Sequence, residues 1–150
     1  MEERRIMKYM LILFVLLGFT ACKDKIDTGP HAVRYGEDVC ERCKMIISDK
    51  RFAAQFITEG GEAKKYDDTG CMVEDLKDAE KRGEKTIAVF VSDYNTGEWL
   101  DAGKAFYLAN GELKSPMGYN IAAFGSVEEL NASPLSKTGK ALGGLGELKK

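Results

Sequence analysis

Cys40, Cys43 and Met45 fall within the six residues CERCKM, two thiols three positions apart and a thioether two further on. Thiols at that spacing serve as a redox dithiol, as half of a zinc site, or as a grip on a softer metal. In extended chain alternate residues project from one face, so Cys43 and Met45 can offer sulfur in the same direction. Reduced copper, Cu(I), prefers thiolate and thioether sulfur, and two or three such donors hold it. Met117 stands between Pro116 and Gly118 in SPMGYN. A turn framed by those residues fixes where the side chain points, so sulfur from two distant segments can converge on one ion. Met72 belongs to an apolar helical pattern and reads as core filler.

The other two chemistries fit the surroundings less well. A thioredoxin-like dithiol opens a helix, whose N-terminus lowers the thiol pKa, whereas KMII after Cys43 reads as extended chain. Structural zinc normally takes four Cys or His ligands. Beyond the pair, and apart from Cys22 near the start, the chain offers Cys71 and a single histidine, His31, with no second C-x-x-C. Cys71 lies just inside a predicted helix, where a cysteine usually acts as a small buried hydrophobe. His31 lies in a segment read as linker, from which a tethered imidazole can reach a metal. Asp67 and Asp68 precede the same helix. Carboxylates there suit the helix dipole, by ~0.3–1 kcal/mol when exposed; their alternative role is to support a bound metal from behind or to hold a harder second ion.

These groups need a scaffold, and the chain has the means to build one. Its 150 residues, 44% hydrophobic and 31% charged, are enough for one packed domain. A net charge of −2, with lysines and arginines scattered among acids, gives nucleic-acid binding no electrostatic footprint. RFAAQFIT and AKKYDD, joined by EGGE, read as a hairpin. Thr69 is the expected cap of a helix in which Met72, Val73, Leu76 and Ala79 recur until Gly83 stops it. TIAVFVSD is a short apolar run of the kind that makes a buried strand. The second half repeats the plan: EWLDAGKAFYLAN and MGYNIAAF are extended, SVEELNAS is a helix capped by Ser126, and KALGGL is a weak last strand. Val73-Glu74-Asp75-Leu76 and Val127-Glu128-Glu129-Leu130 open the two helices 54 residues apart. The expected fold class is α+β, two small packed ββαβ units, with a single mixed sheet as the competing topology.

Residues 1–21 have the charged start, apolar run and small-residue end of a signal peptide. Cys22, directly after Phe19-Thr20-Ala21, sits where a bacterial lipobox is cut and acylated. Residues 22–36, with Gly29-Pro30 and little apolar periodicity, read as a tether, and 37–150 as the folded domain. Export, with lipid anchoring in the periplasm or on the outer face of the cytoplasmic membrane, is the expected location.

CERCKM, YDDTGC, VFVSDYNTGEWLDAGKAFYL and SPMGYNIAAF follow one another in the order and spacing of the NosL family, which this chain resembles over roughly residues 37–145. The resemblance implies a non-enzymatic, exported lipoprotein with a duplicated ββαβ fold like that of organomercurial lyase. It further implies Cu(I) delivery to apo nitrous oxide reductase or another cuproenzyme. The family's C-x-x-C-G-M pattern falls on Cys40, Cys43 and Met45, with Lys44 where glycine is usual. Glycine permits backbone conformations that lysine resists, and an ammonium there opposes a bound cation. The family's Pro-Met-Gly falls on Met117. Cys43, Met45 and Met117 are thus the foremost expected ligands, with Cys40 a fourth or the ligand of a second ion. Asp67 and Asp68 match the family's paired acids, while Asp93-Tyr94 and Trp99 match its DY…W segment, read as turn and core anchor. A delivery site should be partly exposed, so that acceptor ligands can enter. The rival readings remain a thiol-disulfide oxidoreductase using Cys40 and Cys43, and a zinc-stabilised binding module.

Overall fold

The computed structural model describes residues 26–150; the expected signal peptide and Cys22 lie outside the described residues. β1 (Ala54–Thr58) and β2 (Ala63–Tyr66) form an antiparallel hairpin, α1 (Thr69–Lys81) follows, and β3 (Thr86–Ser92) returns beside β1. β4 (Trp99–Asp101) then adds to the outer edge of β3, giving the order β2-β1-β3-β4. β5 (Phe106–Ala109), β6 (Ile121–Phe124), α2 (Val127–Ala132) and β7 (Lys140–Leu142) make the second unit, with order β6-β5-β7. In each unit the first strand is central and its neighbours are the second and the last, so the two ββαβ units share one topology. They form two antiparallel sheets, and an isolated parallel bridge between Asp93 and Ala123 links the end of β3 to β6. A short α3 (Leu145–Leu148) closes the chain. No helix among the described residues is long and apolar enough to cross a membrane.

Alternation decides what β1 faces. Ala54 and Phe56 pack with Tyr66, Val91 and the buried stripe Met72, Leu76 and Ala79 of α1. Gln55 and Ile57 point to the opposite face of the sheet and are equally buried. Phe52, Leu108, Phe124 and Leu130 form the second core. α1 stops where expected, at Gly83 with φ +75°. Its N-cap is Asp68 rather than Thr69: the Asp68 carboxylate accepts from the Gly70 amide, and Thr69 is already helical. The charged carboxylate one residue earlier, on extended backbone, takes the capping position. Ser126 caps α2 as expected, accepting from the Glu129 amide. β3 is less covered than its apolar run suggests. Only Val91 and Ser92 are buried, because the second unit joins the strand at that end alone.

The stretch expected to be a free tether is tied down well before residue 37. The His31 amide donates to Gln55 Oε1 at 2.9 Å, and Gln55 Nε2 donates back to the His31 carbonyl at 3.0 Å. Lys65 Nζ donates to the Ala32 carbonyl at 2.7 Å. This hold runs through main-chain groups, so no apolar periodicity announces it. His31 is consequently half-buried, with its Nε2 enclosed and without a hydrogen-bond partner among the described residues.

Candidate metal centre

An isolated antiparallel bridge between Val39 and Ile46 closes a loop that carries the two thiols. Inside it the Cys40 amide donates to the Met45 carbonyl at 2.8 Å, and the Lys44 amide to the Cys40 carbonyl at 3.1 Å. The reversal needs a left-handed residue, and Lys44 supplies it with φ +62°. That is the conformation glycine takes most readily, and it explains why the lysine is a departure at this position. The Lys44 ammonium turns to Glu41, 3.4 Å away. The loop docks on β2 through the Glu41 amide, which donates to the Lys65 carbonyl at 2.9 Å. Asp38 adds an ion pair to Lys65 Nζ at 2.7 Å. C-x-x-C therefore occupies a tight turn at a strand edge and opens no helix.

Two further groups reach the same point from the β2–α1 junction. Asp67 follows β2 directly and Cys71 is the third residue of α1. The Sγ atoms of Cys40, Cys43 and Cys71 and a carboxylate oxygen of Asp67 all lie within 4.8 Å of one another. All three cysteines are free thiols. Cys40, Cys71 and Asp67 are buried, while Cys43 is only partly so. The Cys43 thiol donates to both oxygens of Asp67 at 3.3 Å. Burial above all pushes the Cys43 thiol up to about 11; the Met45 amide works against this, and the Cys40 thiol and Asp67 carboxylate add to it. The Cys71 thiol is also pushed up, by burial first and then by negative charge developing at Cys40 and Asp67. Without a metal the Cys43 and Cys71 thiols hold their protons at neutral pH, and a thiophilic ion must displace them.

The methionines flank this cluster rather than fill its interior. Met45 and Met117 are 50% and 41% exposed. The Met117 turn is pinned by Asp68, whose Oδ2 accepts from Ser115 Oγ at 2.6 Å and from the Met117 amide at 3.0 Å. Tyr119 then lays its ring on Gly70, where an added β-carbon would fall 1.9 Å from the ring's Cγ. Two adjacent carboxylates thus divide the work: Asp67 faces the Cys43 thiol, and Asp68 caps α1 and holds the Met117 turn. His31 is not among the clustered groups. Asp93 makes the turn after β3, accepting from the Asn95 and Thr96 amides, and Trp99 packs half-buried against the first core. Cys71 is the member that sequence reasoning set aside. Its place in YDDTGC, in the first turn of a helix that begins just after Asp67-Asp68, was the available signal.

The NosL family model matches residues 33–144 of the chain. Among solved structures, that of the copper chaperone NosL from Shewanella denitrificans is similar, with a TM-score of 0.65 at 18% identity over 77% of this chain and 92% of that one. At such identity the likeness speaks to the fold. A search of curated proteins returned no match.

Proposed function

Because this chain belongs to the NosL family, we propose that it is a lipid-anchored, non-enzymatic carrier that binds Cu(I) through sulfur and passes it on by ligand exchange. The observation that carries this reading is the set of three free thiols and one carboxylate with ligand atoms within 4.8 Å of one another. Thiolate and thioether sulfur match a soft monovalent ion better than any harder metal. The solved relative's description as a copper chaperone points to the same cargo. Cys43, the partly exposed thiol of the cluster, makes first contact; Met45 and Met117 supply thioether sulfur at the surface, and Cys40 and Cys71 retain the ion. Ligand exchange requires acceptor groups to enter before the donor's leave, and the exposure of Met45 allows this. Apo nitrous oxide reductase or a related exported cuproenzyme is the acceptor in this reading. Acylated Cys22 is the anchor, at the outer face of the cytoplasmic membrane or in the periplasm.

Dithiol catalysis is the weaker account, because a thiol pushed up to about 11 is the reverse of an activated nucleophile. One observation favours a second metal reading: three thiols with a carboxylate also make a four-donor set suited to zinc. Competition with a Cu(I)-specific chelator under reducing conditions separates the two. Cu(I) binding weakened by Cys43→Ser and by Met117→Ala, with the fold retained, supports the carrier; unchanged affinity in both variants, or a preference for zinc, removes it.

A further inference from the structure

Residues 26–32 run along the face of the β1–β2 hairpin that is turned away from α1. At one end Ile26 lies against the hairpin turn, where a β-carbon on Gly61 would come within 3.1 Å of Ile26 Cγ2. At the other end His31 exchanges its two hydrogen bonds with Gln55, and Ala32 accepts from Lys65. Gln55 and Lys65 are direct cross-strand partners, close to the Ala54–Tyr66 pair where the hairpin leads into Asp67 and α1. The segment is therefore a strap that spans the hairpin from its turn to its base. The thiol cluster hangs on the base, through Glu41 on the Lys65 carbonyl and Cys43 on Asp67. Extended chain from Gly61 to Asp67 covers ~20 Å.

Around the cluster lies an apolar rim. Val39, Met45 and Ile46 are 46%, 50% and 56% exposed, and Met117 and Tyr119 are 41% each. The hairpin turn at the other end presents exposed Glu59 and Glu62, charged groups that stay in the aqueous layer at a membrane surface and keep the turn from entering the lipid.

We infer that the strap orients the tethered protein so that this rim faces away from the membrane and docks an apolar face of a copper-accepting protein approaching from the aqueous side. The inference rests on the lipid-anchored reading of Cys22. Three residues, and so four Cα–Cα steps, separate Cys22 from Ile26, a reach of at most ~14 Å. The acidic hairpin turn is thereby kept next to the anchor, and the rim stands one hairpin length farther out. A free linker beginning at residue 37 would allow any orientation; a strap fixed at Gln55 and Gly61 does not. Five apolar side chains exposed at the far end are then out of reach of lipid, and a protein surface is their occupant.

The test uses the full-length lipoprotein in phosphatidylcholine vesicles that carry an acceptor dye on the headgroup. A donor dye is placed at Glu62 or at Ile46 through an azide-bearing residue, which leaves the thiols alone. Short-range energy transfer severalfold stronger from Glu62 than from Ile46 is expected; equal transfer, or stronger transfer from Ile46, overturns the orientation. Protein that fails to float with the vesicles sinks the anchored reading and the orientation with it, a failure distinct from inverted transfer. Gln55→Ala, which frees the His31 end of the strap, should narrow the difference while Cu(I) affinity holds. An unchanged difference refutes the strap as its cause. Donor bleaching in single steps is expected on sparsely loaded vesicles, whereas paired steps assign the rim to a second copy of the chain and overturn the acceptor assignment.

Discussion

The Cys43 thiol donates to both oxygens of Asp67, 24 residues away in the chain, at 3.3 Å each. The contact joins the loop that bears C-x-x-C to the junction of β2 with α1, and it stabilises the protonated thiol. A carboxylate in this place both resists thiolate formation and offers an oxygen to an arriving metal, so its removal should act on two observables in different directions.

Asp67→Asn should lower the Cys43 pKa from about 11 and speed alkylation of that thiol at neutral pH. Cu(I) affinity should change little, because a soft ion gains little from the oxygen, whereas zinc affinity should drop by about tenfold or more. Thiolate absorbance against pH and paired chelator titrations read these out. A Cys43 pKa that stays put in the variant would remove the carboxylate from the account.

Asp68 holds two structures at once, the N-terminus of α1 and the Met117 turn. Asp68→Ala loses a buried cap and leaves the Ser115 hydroxyl and the Met117 amide without their acceptor. The expected loss of stability is on the order of 2–3 kcal/mol in urea unfolding. Amide exchange at Met117 should accelerate more than exchange across β5 and β6.

Much of this arrangement is legible in the sequence, and the illegible parts have physical reasons. The Gly60-Gly61 turn, the helical spacing from Met72 to Ala79 and the Ser126 cap are legible because each is a local signal. β4 escapes such reading. Trp99–Asp101 looks like the start of the second unit but adds to β3 of the first, a choice made by edge pairing and not by composition. Cys71 satisfies two demands together: it is 2% exposed in the core of α1 and also within the thiol cluster. Periodicity reports only the first. The strap at His31 is held by main-chain bonds to Gln55, and backbone groups leave no mark on residue type. Lys44 is the converse case, since a family pattern with glycine announces the left-handed residue that the loop contains.

Lys44→Gly should stabilise the apo protein by ~0.5–1 kcal/mol, the balance between relief of left-handed strain and the greater freedom of glycine when unfolded. Lys44→Val should destabilise it, since a β-branched residue tolerates φ +62° worst. The Lys44 side chain is 68% exposed and paired with Glu41, so the Cu(I) affinity of Lys44→Gly should shift by less than about threefold at physiological salt. Urea midpoints and chelator titration check the two halves of the prediction.

Asp38 anchors the thiol loop to β2 through Lys65, and that bond, with the Arg34 amide, holds its carboxyl at about 2 instead of 3.8. A carboxyl depressed by folding adds stability that is complete above its unfolded pKa and is lost as pH falls through the folded one. Asp38→Asn should therefore cost on the order of 1–2 kcal/mol at neutral pH. The gap between variant and parent should close between about pH 4 and pH 2, as the parent's carboxyl protonates. Denaturant curves across that range decide it, and a gap independent of pH would mean the asparagine acts through packing.

Gly70 and Tyr119 offer the most selective handle on the Met117 turn. A β-carbon at position 70 would sit 1.9 Å from the ring's Cγ, so Gly70→Ala must move one of them. The ring yields, because Tyr119 is 41% exposed whereas α1 is fixed by the Asp68 cap and a buried face. Alanine is favoured over glycine in a helix by ~1 kcal/mol, which offsets the lost ring packing, so stability should stay within about 1 kcal/mol of the parent. The Tyr119 hydroxyl, raised by burial first and then by Cys71, should fall back toward 10 in the variant. With the ring swung out, Cu(I) should exchange with a chelator faster while equilibrium affinity changes less. Ring carbon shifts followed against pH report the first effect and stopped-flow chelation the second. An unmoved Tyr119 titration in a folded Gly70→Ala protein would show that the ring does not gate the turn.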